Sequence, residues 1–283
     1  MIKSVPLAYL FAISLCFGQG PNFDDPNILF EVESNAINSN QINWSVSADK
    51  SKIAIFEGKL YSGWLKYLYS SGALFGLVQM QNGVAHGMHC YWYQNGVRQE
   101  VASWLNGKRN GLITIWHFNG QKKSETSWKN GYKDGNSTHW YEDGQVESLR
   151  PWSRGKRNGI ATQWYNNGQK KSLFTWSNEI AEGPSTKWHE NGKKESVRYW
   201  TNGNLDGLQT YWYLNGNKLC ELNFAESKLN GLSTHWYENG KRKSVTNYKH
   251  GQKDGLSIIY NKGGDEVLRL KYQLGKLVSK KTP

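Results

Sequence analysis

Apolar residues are in short supply in this chain. They make up 37% of 283 residues, with a mean hydropathy of −0.72, thin material for one large closed core. Long hydrophobic runs are also missing. The one apolar run, Val5 to Phe17, is too short to cross a bilayer. It follows Lys3 and leads to the small residues Gly18 and Gly20, the layout of a secretory signal peptide, with a retained membrane anchor as the alternative. Cleavage after Gly18 leaves Gln19 as the first residue, and Leu15 before Cys16 is not the small residue that lipidation requires. The expectation is an exported chain, soluble once processed, in the periplasm, in the outer envelope or secreted.

Cysteine is scarce as well. Once Cys16 leaves with the leader only Cys90 and Cys220 remain, more than five repeat units apart and in different phases of the repeat. That separation exceeds the Cα distance a disulfide tolerates, so export brings no disulfide framework. Acidic residues are outnumbered, 23 against 35 Lys and Arg, and loss of Lys3 with the leader takes the formal charge from +12 to +11. A basic surface of that size favours anionic partners, and it also keeps an open sheet soluble.

What the chain has in quantity is glycine and aromatic rings, and both keep a 24-residue clock. Glycine stands at 63, 87, 111, 135, 159, 183, 207, 231 and 255, and again at 72, 96, 120, 144, 168, 192, 216, 240 and 264. A third series holds Gly83, Gly107, Gly131, Gly155, Gly203, Gly251 and Gly275, with Glu179 and Ser227 as its exceptions. Trp92, Trp116, Trp140, Trp164, Trp188, Trp212 and Trp236 form one aromatic column. Trp104, Trp128, Trp152, Trp176 and Trp200 form another, offset by half a period and continued by Phe224, Tyr248 and Tyr272. Such phasing is the mark of a repeat protein.

Within one unit, 160–165 is a short β-prone run, 166–169 a turn and 170–176 a second run. Asn precedes the second glycine series at Asn95, Asn119, Asn167, Asn191, Asn215 and Asn239, which suggests a two-residue type I′ loop centred on Asn167-Gly168. Tyr165 then faces Lys170, Trp164 faces Lys171, and Gly159 lies opposite Trp176, where its missing side chain makes room for the indole. This register puts the two Trp columns on opposite faces. Helix is disfavoured in the array, because no stretch between turns is long enough to build an apolar helical face.

The predicted architecture is therefore all-β: an elongated single-layer antiparallel meander of about nine 24-residue hairpins, roughly 85 Å long at about 4.8 Å per strand. Residues 1–18 are the leader, 19–58 a β-rich cap, 59–278 the array and 279–283 a tail. In the cap, Ile28–Val32, Trp44–Val46 and Ile53–Phe56 read as strands, and Val267 to Val278 closes the other end.

The segments Trp104-Leu-Asn-Gly-Lys-Arg-Asn-Gly111, Trp128-Lys-Asn-Gly-Tyr-Lys-Asp-Gly135 and Trp152-Ser-Arg-Gly-Lys-Arg-Asn-Gly159 resemble the MORN repeat. Trp164-Tyr-Asn-Asn-Gly-Gln-Lys-Lys-Ser172 is similar to the variant MORN repeat of the bacterial YwqK-type antitoxin family. The resemblance covers about residues 60 to 275. It implies a β-hairpin sheet used for protein contacts, in some members for membrane attachment, and from the variant family an antitoxin-like role.

No cluster of unlike groups suggests catalysis. His117 and His189 occupy the phase of Tyr93, Tyr141, Tyr165, Tyr213 and Tyr237, as aromatic replacements, and His139 and His235 lie four units apart. No metal-ligand or phosphate-loop motif is present, so neither enzyme activity, a metal nor a cofactor is expected. The candidate binding residues are cationic and aromatic. Lys122, Lys123, Lys170, Lys171, Lys193, Lys194, Lys241, Arg242 and Lys243 follow the first turn of their units, while Lys108, Arg109, Lys156, Arg157 and Lys253 occupy the second. Such margins either keep the sheet solvated or form a multivalent surface for lipid headgroups or acidic glycans. The Trp92 to Trp236 column is read as a cross-strand ladder that could also present rings to a partner. Nucleic acid is not an expected partner, and the chain should be monomeric or weakly associated. The reading is an exported, non-catalytic scaffold for protein or cell-envelope contacts, with a peripheral phospholipid-binding or anionic-polymer module as the alternative.

Overall fold

Short β-prone runs separated every dozen residues by a turn can satisfy their backbone groups only by pairing with the next run, and the chain does this throughout the repeat. A computed structural model describes residues 20–48 and 52–282, so the expected leader at 1–18 lies outside the described residues. The chain divides into an N-terminal unit ending at Tyr132 and a C-terminal unit beginning at Lys133. Both are antiparallel meanders of hairpins.

In the C-terminal unit the hairpin 159–176 shows the pattern. Gly159 pairs with Trp176, Ala161 with Phe174 and Gln163 with Ser172, as the sequence predicts, but a bulge before Trp164 sets it opposite Lys170 rather than Lys171. The bulge follows from the turn. Gly168 N–H donates to the Tyr165 carbonyl at 2.9 Å and Tyr165 N–H to the Gln169 carbonyl at 2.8 Å, so the loop has three residues and Tyr165 does not face Lys170. Only Gly168 of this loop has a positive φ, +79°. This is a type I turn closed by a left-handed glycine, not the expected type I′ loop.

The two-residue loops belong to the other turn of the unit. Asn178 and Glu179 have φ of 48° and 73° between the paired Ser177 and Ile180, and Asn202 and Gly203 have 49° and 80° between the paired Thr201 and Asn204. The third glycine series therefore carries the type I′ turns.

Asn167 is selected for its side chain rather than for a left-handed backbone. Its Oδ1 accepts from Gln169 N–H at 3.0 Å, an Asx turn, and its Nδ2 donates to the Glu190 carbonyl of the next unit at 3.0 Å. Asn191, Asn215 and Asn239 repeat both bonds.

Gly159 also departs from expectation. Its φ is +113°, and an added Cβ would come within 3.0 Å of the Pro151 ring rather than the Trp176 indole. The residue is glycine because the strand bulges there before it can pair with Trp176.

Gly168→Val, which forces a β-branched residue into the left-handed region, should cost about 2 kcal/mol and open this hairpin before others. Limited proteolysis that first cuts near residue 168 checks it; unchanged resistance would refute the turn assignment.

The N-terminal segment contains a helix the sequence reading missed. Pro26–Asn35 forms α1, so Ile28–Val32 is helical, not a strand. Asp25 caps it by accepting from Asn27 N–H at 2.9 Å, and Pro26 follows at the first helical position. Ile28, Leu29 and Val32 fall on one side and pack with Phe23, Leu77, Cys90 and Trp92. Ile37–Asn38 then pairs in parallel with Gly63–Leu68, covering the first strand of the array. A small sheet of Asn43–Val46, Lys52–Phe56 and Lys59–Leu60 follows, as expected for Trp44–Val46 and Ile53–Phe56. Its Ala54 and the neighbouring Ile42 and Tyr61 pack on Leu65, Val78 and Met80. The cap thus clamps the first hairpins between a helix on one face and a sheet on the other. At the far end the strand Lys276–Lys281 is exposed along its whole length, and its lysines blunt the edge.

Candidate functional site

Strand alternation and the 159–176 pairing place Trp164 and Trp176 on opposite faces of the C-terminal unit, as predicted. On the Trp164 face, Trp140, Trp164, Trp188, Trp212 and Trp236 are all half-buried, while in the N-terminal unit the equivalent Trp92 is buried beneath Phe23. The backbone of this column holds successive repeats together. Tyr141 donates its hydroxyl to the Trp164 carbonyl, Tyr165 to that of Trp188 and Tyr213 to that of Trp236, at 2.8, 2.8 and 3.0 Å. His189 makes the same bond from Nε2 to the Trp212 carbonyl at 3.2 Å, the aromatic replacement expected of it. Beside the Trp column runs an aliphatic row in the open: Ile160, Leu208, Leu232 and Leu256 are 57%, 42%, 54% and 47% exposed. This row was not singled out in the sequence, although its phase, one residue after the first glycine series, is legible there.

The first-turn cations are exposed, but several are engaged. Lys122 pairs with Glu125 at 2.7 Å, Lys193 donates to the Asn215 carbonyl at 2.7 Å and Lys241 to the Gly263 carbonyl. Lys171 and Lys243 lie 5.3 and 5.8 Å from the rings of Tyr165 and Tyr237. Lys123, Lys170, Lys194 and Arg242 extend along the same margin. The second-turn cations are not all marginal. Arg157 sits 3.6 Å over the Trp176 ring, Lys133 4.6 Å over Trp152 and Lys253 4.9 Å over Tyr272, and in the N-terminal unit Arg109 is 5.1 Å from Trp128. These charges lie on the face, interleaved with the second aromatic column.

Down the middle of that Trp176 face runs a line of buried hydroxyls, Ser137, Ser148, Ser185, Ser196, Ser233 and Ser257. Trp200 Nε1 donates to Ser185 Oγ at 2.9 Å, so a small hydroxyl lets the indole lie down and also satisfies its N–H. His139 and His235 each contact a serine of this line, Ser148 and Ser233 at 3.5 and 3.3 Å, and burial holds both imidazoles below the usual histidine range. Cys90 and Cys220 are buried free thiols, and burial pushes Cys90 up to about 12 and Cys220 to about 11. Among the described residues no three His, Cys, Asp or Glu side chains converge on a metal-sized site.

Open sheets of repeated hairpins, each contacting its sequence neighbours, define a β-repeat protein. Five segments, 109–130, 133–153, 157–178, 205–226 and 229–250, match the family described as the MORN repeat variant. These five segments are variant MORN repeats, and the stretch 179–204 stands unmatched between the third and fourth of them. No curated protein matches the sequence. Among solved structures, a chain in the crystal structure of TcdB2-TccC3 is similar over 81% of this chain and 16% of its own length, at 11% identity and a TM-score of 0.19. One in the crystal structure of TcdB2-TccC3-Cdc42 is similar over 83% of this chain and 14% of its own, again at 11% identity and 0.19. This chain thus spans a small part of either, and so weak a structural likeness supports no transfer of fold or function.

Proposed function

We propose that the chain is an exported, non-catalytic scaffold that takes a protein partner of the cell envelope along the Trp164 face of its C-terminal unit. The observation that carries this reading is the exposed row of Ile160, Leu208, Leu232 and Leu256 beside half-buried tryptophans. A repeated aliphatic row left open to water is a feature of protein-contact surfaces rather than of a solvated face. Export rests on the leader pattern at 1–18.

The basic first-turn margin favours a second reading, peripheral attachment to anionic lipid or polymer, and the two separate on salt. A photo-crosslinker at position 232, in envelope extract at high salt, should capture one discrete protein. Leu208→Glu with Leu256→Glu should abolish that capture while leaving the fold intact, because exposed substitutions shift stability by only about 0.5 kcal/mol each. Replacing Lys122, Lys123, Lys170, Lys171, Lys241, Arg242 and Lys243 with Gln should not affect it. Binding confined to anionic vesicles at low salt, and lost in the Gln variant, would overturn the protein-contact reading in favour of the membrane one.

A further inference from the structure

The repeat is broken in one place on the opposite, Trp176 face, and the breaks converge. The phase that holds Thr126, Leu222, Thr246 and Leu270 elsewhere holds Arg150, Phe174 and Arg198 in three successive units. The phase of His139, Gln163, Tyr211 and His235 holds Lys187. Ala161 pairs with Phe174, Phe174 with Ser185, and Ser185 with Arg198, so the two arginines flank a ring with a small residue on either side. The space left by those small residues is a cavity of about 370 Å³, lined by Arg150, Arg157, Lys187 and Arg198 together with Phe174 and Trp176. No carboxylate lines it. Lys187 and Arg198 both lie in the stretch that the family match skips.

We infer that this cavity is a binding site for a phosphate or sulfate ester with a compact organic body. Arg157 is already committed. Glu179, one of the two exceptions to the third glycine series, accepts from its backbone N–H and, at 2.8 Å, from its Nε. The backbone N–H bond and then the Nε bond hold the Glu179 carboxyl below the usual range, and the pair fixes Arg157 over the indole. Three cations remain uncompensated by any lining group. Arg198 carries a buried Nε without a hydrogen-bond partner, on a guanidinium 5.6 Å from the Trp200 ring.

Positive groups gathered in a partly enclosed, aromatic-walled space repel one another unless an anion joins them, and arginine forks match a tetrahedral oxyanion. The rings serve as a wall rather than as a stacking platform, because Phe174 stacks on Trp176 at 4.6 Å and Arg157 takes the indole's other side. A ligand therefore enters by its charged end and packs a small body against ring edges.

Titration of the full chain with glucose 6-phosphate, glucose 6-sulfate, inorganic phosphate and glucose, read by calorimetry and tryptophan fluorescence, tests this. The esters should bind saturably at one site per chain and glucose should not; equal affinity for inorganic phosphate would identify the free anion as sufficient. Arg198→Gln and Arg150→Gln should each weaken ester binding at least tenfold, and Lys187→Gln, whose side chain is exposed and cannot unfold the sheet, should weaken it severalfold. Lys262→Gln, on a distant turn, should bind as the parent does. Failure of the parent to bind either ester, or equal binding by the Lys187 variant and the parent, overturns the inference. Neither result bears on the protein-contact face.

Discussion

Leu77→Ala should destabilise the N-terminal unit by about 2–5 kcal/mol, whereas Leu173→Ala, at the same phase of a later repeat, should cost about 1 kcal/mol. The two leucines share a strand position and differ in what covers them. Leu77 is 0% exposed because α1 lies across it, packing Phe23 and Val32 into the same cluster, while Leu173 is half-buried on an open sheet. Truncating Leu77 leaves a cavity between two rigid layers. Truncating Leu173 removes a contact that neighbouring side chains can partly restore, and this phase accepts Glu125, Glu221 and Arg269 in other repeats. Hydrogen exchange resolved by segment measures both changes. Equal losses at the two positions would mean that the cap adds nothing to the sheet it covers.

Acidification should weaken the same unit through His89. Its imidazole is buried, stacked 5.2 Å from the Trp104 ring, with Nε2 donating to the Gln79 carbonyl at 3.1 Å. Burial brings it down to about 4, against an ordinary value near 6.5. Between those values the unfolded chain takes up a proton that the folded chain refuses. The stability contributed by neutral His89 is therefore present in full above about pH 6.5 and is lost as pH falls toward 4, for a total of about 3 kcal/mol. The same phase holds Leu65 and Ile113 in the adjoining units, so His89→Leu suits the site and should flatten the pH dependence over that window. Segment-resolved exchange or urea midpoints at pH 7 and pH 4.5, for parent and variant, decide it. Parallel falls in the two proteins would assign the acid sensitivity to carboxylates instead.

How much was legible in the sequence is clearest at the turns. The position of the hairpins in the array followed from the 24-residue glycine spacing, because each turn needs at least one left-handed residue and glycine adopts that conformation at no steric cost. The type of each turn did not follow. Asn-Gly pairs lie within both kinds of loop, and only the backbone shows that Asn106, Asn130 and Asn202 are left-handed while Asn167 instead turns its amide toward the next repeat. The helix could have been read, since Asp25-Pro26 is a capping residue followed by proline at the first helical turn; the β-prone look of Ile28–Val32 outweighed it. The sequence places the second-turn cations at the margin because residues beside a turn usually point to water, whereas the bulge at the first glycine series swings Arg157 and Lys253 onto the aromatic column.

The sequence by itself determined the repeat, its length and the hairpin as its unit, because these are consequences of local periodicity; the expected pairing of Gly159 with Trp176, and with it the opposition of the two tryptophan columns, holds because the extra loop residue is offset by the bulge before Trp164. Only the tertiary structure decided which exposed residues form a surface. The aliphatic row of Ile160, Leu208, Leu232 and Leu256, and the cavity between Arg150 and Arg198, are made of residues far apart in the chain or separated by small ones. Periodicity places a residue on a face. How far its side chain is covered, and by which neighbour from the next strand, depends on bulges and side-chain sizes across the sheet, which no single repeat contains.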